Sequence, residues 1–396
     1  MHLHTKRENE SIREIAEKYG IWEENLRRVN NVTEGEAANG EELLVLIPTR
    51  CYRVQHGDTI ERIAMRFGVR KRDILAQNPW ITDENLKTGD RLSLKHSAPM
   101  SGMAVANGYF YNGCSTALLR RALPYLTYVT FGCGVAEKNK IYRSFEDKKE
   151  VAIVNEEKKI PLVRIYDKYP DRYKSGEDLT AFAEGLIRLA QVGGYKGIVL
   201  DACAVSDSAE KFISFLIILR KLMIGCDLIL ITEINENSPL EFSEFADGSV
   251  MYYPKYAMEN PPSFDDGERK ILSDFACRGE SAKTFVDLPT NAICNGRYIT
   301  YDEAMSVARK RGLEIKHNEN TLLSSFNDRK QGECVFSSLA TIKGILDVAK
   351  EFDYMGVCFD IMRTPLSHLL MYNSMFKTYV YNSVRTREGC SRVGEE

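Results

Sequence analysis

The chain has 396 residues, a hydrophobic share of 44% and a formal net charge of −3. That length accommodates one large domain with one or two small ones, and the apolar share supports an ordinary globular core. The near-neutral charge argues against nucleic acid as a partner. The longest apolar run, residues 212–219, is far too short to span a bilayer, and residues 1–8 lack the apolar segment of a secretory signal. We therefore expect no membrane partner and synthesis in the cytoplasm.

Cysteine and histidine spacing predicts neither a metal site nor a cofactor. The ten cysteines include no C-x-x-C pair, and the six histidines include no H-E-x-x-H motif. In a chain without a secretory signal, scattered cysteines indicate reduced thiols, most of them buried.

The N-terminal part of the chain contains an internal repeat. Residues 10–21 (ESIREIAEKYGI) match residues 58–69 (DTIERIAMRFGV) at an offset of 48. In each copy a hydroxyl side chain, Ser11 or Thr59, stands at a helix start, apolar residues follow at helical spacing, and a glycine ends the helix. A second short helix and a closing strand follow. This pattern predicts two β-α-α-β modules, over residues 1–49 (unit 1) and 50–97 (unit 2).

Unit 2 resembles the LysM domain family, whose members bind glycans that contain N-acetylglucosamine. Residues 52–59 (YRVQHGDT) match the family's opening pattern Y-x-V-x-x-G-D-T, whereas unit 1 keeps the helices but has Asn9-Glu10-Ser11 in place of Gly-Asp-Thr. The resemblance implies binding of peptidoglycan or a chitin-like glycan. A generic β-α-α-β module without a sugar site is the alternative for both units. The resemblance assigns glycan binding to Gly57, Asp58, Thr59, Ile60, Asn78, Pro79 and Trp80.

Beyond a small, polar linker at residues 98–103, strands and helices alternate in the pattern of a parallel sheet. Eight strands are predicted, which suits a TIM (β/α)8 barrel of the α/β class over residues 104–385. The interval before the eighth strand is too long for one crossover and predicts a small inserted α+β subdomain at about 290–337. Residues 386–396 are expected to form a flexible tail. The predicted strands are 104–111, 125–131, 160–166, 197–201, 228–233, 250–253, 284–289 and 355–361.

The fourth predicted strand ends at Asp201. Residues 194–203 (GYKGIVLDAC) contain a continuous apolar core that follows a glycine pair, which is typical of a buried parallel strand. Barrels place their chemistry on polar groups at the C-terminal ends of such strands. The alternative is that Asp201 only caps the following helix.

This stretch resembles the fourth-strand signature D-x-x-D-x-D-x-E of family 18 glycoside hydrolases, in their spore-cortex-lytic branch. Aligned on the glycine, the four acidic positions hold Lys196, Val199, Asp201 and Cys203. Segments at 107–111, 122–128, 334–338 and 356–360 are also similar to that branch. The resemblance covers nearly the whole chain and implies a sugar-cleaving fold whose principal acid is missing.

In family 18 the substrate's own N-acetyl oxygen attacks the anomeric carbon, while a glutamate protonates the leaving oxygen. The resemblance assigns Asp201 to the residue that orients the acetamide and Tyr253, within one residue, to the tyrosine that hydrogen-bonds it. Cys203 stands at the position of the acid, and Asp360 at that of the aromatic residue under the sugar. A thiol has a reference pKa of about 8.5 against about 4.3 for glutamate, and losing a general acid costs ~10²–10⁴-fold in rate.

These features lead to the hypothesis of a glycan-binding pseudoenzyme with little or no hydrolase activity. One alternative is an active, rewired N-acetylglucosaminidase in which Glu233 or Asp360 supplies the proton. Another is a structural component of a spore coat, with coat proteins as partners. For Cys203, a buried inert thiol is favoured over a nucleophile because no histidine lies near it in sequence. The resemblance further implies deposition on the spore coat or cortex and a role in germination.

Overall fold

The computed structural model describes residues 1–96, 103–138, 140–168, 179–203, 209–239, 241–252, 264–330 and 332–378. The predicted linker at 98–103 and tail at 386–396 lie wholly or almost wholly outside these ranges. None of the helices in these ranges is both long enough and apolar enough to cross a membrane.

The N-terminal residues form two successive β-α-α-β units, which confirms the predicted repeat. Each unit closes with one antiparallel strand pair, β1 with β2 and β3 with β4. The helices are amphipathic: Ile12, Ile15 and Ala16 of unit 1 are buried, as are their unit 2 counterparts. The elements are β1 (His2–Thr5), α1 (Ile12–Tyr19), α2 (Glu23–Val29), β2 (Glu42–Val45), β3 (Pro48–Arg53), α3 (Ile60–Phe67), α4 (Lys71–Gln77) and β4 (Arg91–His96).

The chain then alternates strands and helices as far as the predicted insertion. Strand β9 coincides with the predicted fourth strand, and its first four residues are buried. The elements are β5 (Met103–Phe110), α5 (Thr116–Ala122), β6 (Tyr128–Glu137), β7 (Lys140–Arg143), α6 (Lys148–Glu156), β8 (Ile160–Asp167), α7 (Leu179–Gly193), β9 (Gly197–Asp201), α8 (Ala209–Met223), β10 (Ile229–Ile234), α9 (Glu241–Glu244), β11 (Gly248–Met251), α10 (Asp266–Cys277) and β12 (Thr284–Asp287).

The inserted segment forms its own five-stranded antiparallel sheet, in the order β14-β13-β17-β16-β15, against which helix α11 packs. After it the chain returns to the barrel. The elements are β13 (Asn291–Cys294), β14 (Arg297–Thr300), α11 (Tyr301–Arg311), β15 (Lys316–His317), β16 (Leu323–Asp328), β17 (Gly332–Ser337), α12 (Leu339–Glu351), β18 (Gly356–Asp360), α13 (Leu366–Met375) and β19 (Lys377–Thr378).

Eight parallel strands close into a barrel, which confirms the predicted TIM fold. The order is β5-β6-β8-β9-β10-β11-β12-β18, and β18 pairs with β5 to close the ring. Apolar side chains such as Leu162, Val199 and Phe285 fill the interior. A Cβ on Gly356 would overlap the Val105 carbonyl, so glycine allows β18 and β5 to approach closely where the ring closes.

The cysteines differ from the expectation of reduced, mostly buried thiols. Cys294 and Cys334 stand directly opposite each other on β13 and β17 and form a disulfide. Among the free thiols in the described ranges, Cys133 and Cys358 are buried, whereas Cys51 and Cys277 are exposed. The spacing of the pair in sequence gives no signal, because the register of the inserted sheet brings them together.

Both N-terminal units contact the rest of the molecule. Arg309 of the inserted helix α11 pairs with the buried Glu41 of unit 1 at 2.5 and 3.0 Å. In unit 2 the Ala76 carbonyl accepts a hydrogen bond from the Tyr125 hydroxyl of the barrel at 2.6 Å. Val29 and Ala76, one from each unit, belong to the same apolar cluster as the outer face of the barrel.

Candidate functional sites

The loop before α3 in unit 2 is held by three of the predicted glycan-site residues. Gly57 has a φ of +78°, a conformation that suits glycine. The Asp58 carboxylate accepts from the Tyr52 hydroxyl at 2.6 Å and from the Gln55 N–H at 2.8 Å. Thr59 caps α3 by accepting from the Arg62 N–H. Gly57 and Thr59 are exposed, so this loop is accessible to a ligand.

The other predicted glycan-site residues of unit 2 lie deeper. Ile60 and Asn78 are fully buried, and the Asn78 amide bonds to backbone groups of Ile74 and Ser93. Pro79 and Trp80 are half-buried, and the Trp80 ring faces unit 1, with the Arg28 guanidinium 5.7 Å from its centroid. Ile60 and Asn78 are therefore structural residues that support the loop from inside unit 2 and do not themselves reach the surface.

Unit 1 reproduces this loop with different residues. Asn9 takes the left-handed conformation with a φ of +61°, and Ser11 caps α1. Glu10 accepts from His4 Nε2 at 2.8 Å and from the Arg7 N–H, as Asp58 accepts from Tyr52 and Gln55. Asn30 makes the same three backbone hydrogen bonds as Asn78. The loss of Gly-Asp-Thr is thus compensated in the fold of unit 1.

In the barrel, Glu233 lies at the centre of a hydrogen-bonded network at the C-terminal ends of the strands. Its side chain is fully buried. Arg164 Nε lies 2.7 and 2.8 Å from its two oxygens, and Arg164 Nη2 lies 2.6 Å from Oε2. The hydroxyls of Tyr109 and Tyr252 donate to Oε1 at 2.8 and 3.1 Å. This carboxylate is an acceptor in every one of these contacts, so it is not placed to donate a proton to a ligand.

Burial and charge shift the pKa values of the arginine and the two tyrosines of this network. Burial alone would lower the pKa of Arg164, but the Glu233 carboxylate outweighs burial and keeps it well above its usual value. Burial and the charge of Glu233 raise the pKa values of Tyr109 and Tyr252 well above normal. Both phenols therefore remain hydrogen-bond donors throughout the physiological pH range.

The Asp201 carboxylate makes one contact within its own turn and another with Arg164 at the mouth of the barrel. Its Oδ1 accepts from the Cys203 N–H at 3.0 Å, and its Oδ2 lies 3.2 Å from Arg164 Nη2. The side chain is 36% exposed, in contrast to that of Glu233. Asp201 thus stabilises the turn at Cys203 and also takes part in the network around Glu233.

Cys203 is half-buried, with its Sγ 3.5 Å from the Glu233 carbonyl oxygen. Burial, followed by the charges of Asp201 and Glu233, raises the pKa of this thiol to about 12. The thiol is therefore neutral at physiological pH. A neutral thiol is a poor nucleophile.

A cavity of about 530 Å³ opens beside this network. Tyr109 and Tyr252 form part of its wall with the hydroxyls that hold Glu233, so the network supports one side of the cavity. Tyr111 stacks on Tyr109 with ring centroids 5.7 Å apart. Aromatic faces with a few polar groups are typical of small-molecule binding sites. The remaining lining residues are Asn112, Asp287, Leu288, Thr290, Asn291, Tyr298, Asp360, Met362 and Arg363.

Of the two predicted alternative acids, Glu233 and Asp360, Asp360 lines this cavity. Its Oδ1 accepts from the Met362 and Arg363 N–H groups, and its Oδ2 lies 3.5 Å from Arg363 Nε. Burial raises the pKa of this carboxyl. A second carboxylate, Asp287, lines the same cavity and is almost fully buried.

The sequence pattern did not predict several residues of the barrel mouth, and one predicted residue lies outside the described residues. Tyr253 lies outside the described residues, whereas its neighbour Tyr252 contacts Glu233. Arg164 was missed, although a charged residue between Val163 and Ile165 in an apolar strand is an unusual signal. Within the described ranges, no group of His, Cys, Asp and Glu side chains is arranged to hold a metal ion.

Residues 4–35 and 52–95 match the family model of the LysM domain. Both units are therefore LysM domains, including unit 1 despite its altered loop. No curated protein sequence matches the chain.

Solved structures share the fold of the whole chain, LysM domains included. The spore cortex-lytic enzyme SleL of Bacillus megaterium QM B1551 superposes with a TM-score of 0.74 at 17% identity, covering 96% of this chain and 99% of that one. SleL of Bacillus cereus gives a TM-score of 0.72, also at 17% identity, with 96% and 98% coverage. A chitinase from Chromobacterium violaceum ATCC 12472 gives 0.61 at 14% identity, covering 69% of this chain and 99% of that chain. At these identities the likeness establishes the fold alone.

Proposed function

We propose that this protein binds peptidoglycan or another glycan containing N-acetylglucosamine, and that its barrel holds sugar without cleaving it. The observation that carries the proposal is Cys203, which stands where the resemblance puts the general acid. With a pKa of about 12 the thiol keeps its proton at neutral pH. A proton donor must release its proton as the glycosidic bond breaks, and efficient donors have a pKa near the working pH.

Glu233 lies close to Cys203, whose Sγ is 3.5 Å from the Glu233 carbonyl oxygen, but we propose that its carboxylate does not replace the missing acid. Glu233 is fully buried and accepts hydrogen bonds from Arg164, Tyr109 and Tyr252. Its oxygens are acceptors in each of these contacts, and burial separates them from a bound glycan. The cavity beside it retains an aromatic wall, so we propose that the mouth keeps a sugar-binding role.

Release of reducing ends tests the loss of hydrolysis. The full chain is incubated with cortex peptidoglycan and with N-acetylglucosamine oligomers, and we expect no turnover above background. Turnover that Asp201→Asn abolishes would contradict the proposal, because it would show a working site around that carboxylate.

A restoration experiment measures how much of the site survives. Cys203→Glu returns a carboxyl to the acid position, and Cys203→Ser is its control, of similar size but without a titratable carboxyl. Activity gained only by the glutamate variant indicates that the acid alone was lost. No gain, in a variant that folds normally, indicates that the altered cavity is also incompatible with cleavage.

An active, rewired N-acetylglucosaminidase is the second candidate, and Asp360 is the observation that favours it. This carboxyl lines the cavity, and burial raises its pKa towards the range of a general acid. If it supplies the proton, wild-type turnover will be detectable and Asp360→Asn will remove it, whereas Asp287→Asn will show whether the neighbouring carboxylate is also needed.

We further propose deposition of the protein on the spore, as coat or cortex component, on the strength of its fold similarity to cortex-lytic enzymes. A purely structural coat role differs from glycan binding by the barrel in one measurable respect. Sugar binding by the mouth should weaken in Tyr298→Ala, because this half-exposed ring lines the cavity. A fluorescent fusion that stays in the cytosol throughout sporulation would contradict the spore assignment.

A further inference from the structure

Two exposed tyrosines lie on the strands that extend beside the cavity. Tyr142 of β7 and Tyr166 of β8 stand on either side of Val135, the β6 residue that pairs with both. Residues that pair directly across a sheet point to the same face, so the three side chains share one surface. Tyr142 is 38% exposed and Tyr166 is 58% exposed, whereas Val135 is buried. We call this surface of three residues the tyrosine platform.

The alternation of side chains along the strands turns the platform towards the barrel axis. Tyr166 follows Arg164 by two residues on β8, and side chains two residues apart on a strand point to the same side. Because Arg164 points inwards to Glu233, Tyr166 also points inwards, one step closer to the C-terminal end of the strand. On β7 the residue before Tyr142, Ile141, points outwards and packs beside Gly185 of α7. The platform therefore forms part of the wall of the mouth.

The platform adjoins the cavity through Tyr111. The ring of Tyr111, which lines the cavity, lies across β6, where a Cβ on Gly132 would come within 2.3 Å of its Cδ1 atom. Glycine at this position thus allows the ring to approach the strand closely. Gly132 precedes Val135 by three residues on the same strand. The aromatic wall of the cavity therefore continues along β6 towards the platform.

The chemistry of the platform suits a neutral sugar. One face of a pyranose ring presents C–H groups that pack on an aromatic ring, and tyrosine adds a polar hydroxyl at the ring edge. The Tyr142 hydroxyl donates to Glu137 Oε2 at 3.2 Å, which holds the ring in place. Lys168 Nζ lies 3.4 Å from the same oxygen, so the charges at this edge are paired. A ring that is already held in place loses little conformational entropy when a ligand packs on it.

The spacing of the two tyrosines suits a polymer better than a single sugar. Tyr142 and Tyr166 lie two strands apart, which separates their backbones by about 10 Å. In a β-1,4-linked glycan every second ring turns the same face to one side, and two sugars span a comparable length. The two tyrosines can therefore pack against alternate sugars of one chain.

We infer that the tyrosine platform is a second sugar subsite, which holds the part of a β-1,4-linked, N-acetylglucosamine-containing chain that extends from the cavity. The inference rests on the proposed sugar binding by the barrel mouth and makes that binding dependent on chain length. A disaccharide fills the cavity alone, whereas a hexasaccharide reaches both places. Loss of both tyrosine rings should weaken binding of the longer ligand roughly tenfold.

The test uses the full chain labelled with ¹⁵N-tyrosine and titrated with the disaccharide or the hexasaccharide of N-acetylglucosamine. The amide of Tyr298 reports the cavity, and the amides of Tyr142 and Tyr166 report the platform. The amide of Tyr52 reports unit 2, so binding by the LysM domain is followed separately. Among the three barrel reporters, we expect the disaccharide to shift Tyr298 alone and the hexasaccharide to shift all three.

Three variants separate the rings from the rest of the surface. In Tyr142→Ala/Tyr166→Ala, the hexasaccharide affinity read at Tyr298 should fall roughly tenfold, and the disaccharide affinity should stay within about twofold of wild type. Tyr142→Phe/Tyr166→Phe keeps both rings and should bind the hexasaccharide within about threefold of wild type. Val192→Ala shortens an exposed side chain at the end of α7, at the opposite end of the barrel, and should change neither affinity.

The outcomes distinguish the inference from the proposed function. If the hexasaccharide shifts Tyr298 in the wild type but neither platform tyrosine, the inference is wrong and binding by the cavity stands. The inference is also wrong if the double alanine variant folds normally and keeps its hexasaccharide affinity. A wild-type dimer that this variant makes monomeric, with unchanged affinity, would instead identify the platform as a contact between two copies. If Tyr142 and Tyr166 shift but Tyr298 never does, the platform binds glycan and the proposed binding by the cavity fails. If no barrel reporter shifts, both ideas fail.

Discussion

Both units pack apolar side chains against the barrel, and each adds a different polar contact: unit 1 an ion pair with the inserted subdomain, and unit 2 a backbone carbonyl that accepts a hydrogen bond from a barrel tyrosine. Arg309 and Glu41 form the first contact, with side chains only 12% and 2% exposed. Tyr125 and Ala76 form the second, both in the apolar cluster outside the barrel. Both units are thus held on the barrel by shared apolar packing, and they differ in the polar contact that each one adds.

The comparison shows which parts of the repeat are needed for folding and which are not. Asn30 and Asn78 make identical backbone contacts, and Ser11 and Thr59 both cap a helix. The solvent-facing positions diverge instead: Arg27 and Glu36 pair between α2 and the next loop in unit 1, whereas Lys71 and Asp83 pair between α4 and the next loop in unit 2. Shared architecture with divergent surfaces is what two modules with different partners would show.

The largest effect is expected from Arg309→Met, which separates unit 1 from the insertion. The variant leaves the Glu41 carboxylate buried without its cation and frees the two carbonyls that Arg309 holds. Breaking a buried ion pair on one side typically costs about 3–5 kcal/mol. We expect denaturant unfolding to show a loss of that size, with faster amide exchange in unit 1. Lys310→Met, at the exposed neighbouring position, is the control and should change stability by less than about 0.5 kcal/mol.

Asn30→Ala and Asn78→Ala test whether the two units share one architecture. Each substitution removes three buried hydrogen bonds to the backbone and leaves groups of Leu44 or Ser93 unsatisfied. We expect each to lower the free energy of unfolding by about 1–3 kcal/mol, and the two losses to agree within about 1 kcal/mol. A clearly larger loss in one unit would show that docking, more than the repeat itself, determines its stability.

Much of the barrel was predictable because its strands are continuous apolar runs. Strand β9, for example, begins and ends where the sequence pattern placed it. The β13–β14 hairpin was not predicted, since its second strand is short and largely exposed and carries no alternating pattern. The disulfide depends on the register of this sheet, which residue spacing does not reveal.

The candidate site was predictable only in part, for a related reason. Asp201 and Cys203 lie at and just after the end of one strand, β9, and a local sequence pattern can identify such positions. The network around Glu233 draws Arg164 from β8, Tyr109 from β5 and Tyr252 from the end of β11. These partners are far apart in sequence, and only closure of the barrel brings them together.

Gly57→Ala should lower the free energy of unfolding by a smaller amount. It tests whether the loop before the first helix depends on backbone conformation in the same way in the two units. A Cβ at this position would meet open space, so the cost comes only from the φ of +78° and is about 1 kcal/mol. In unit 1 the same conformation is adopted by Asn9, and Asn9→Gly should be neutral or slightly stabilising. Thermal unfolding of both variants checks this. Equal destabilisation by the two substitutions would show that the Asn9 side chain, and not its backbone conformation, matters.

The smallest expected effect is a loss of stability at low pH that comes from the loops before α1 and α3. The Tyr52 hydroxyl and the Gln55 N–H lower the pKa of Asp58, and in unit 1 the hydrogen bonds from His4 and Arg7 outweigh burial to lower that of Glu10. A carboxylate whose pKa is lowered by folding stabilises the protein above its unfolded pKa, about 4, and this contribution disappears as the pH falls through the folded pKa. Unfolding midpoints between pH 6 and 2.5 should therefore decrease less steeply in Asp58→Asn than in wild type. Glu61→Gln, at an exposed position of the same unit, should follow the wild-type slope, and a parallel decrease in all three proteins would contradict the assignment.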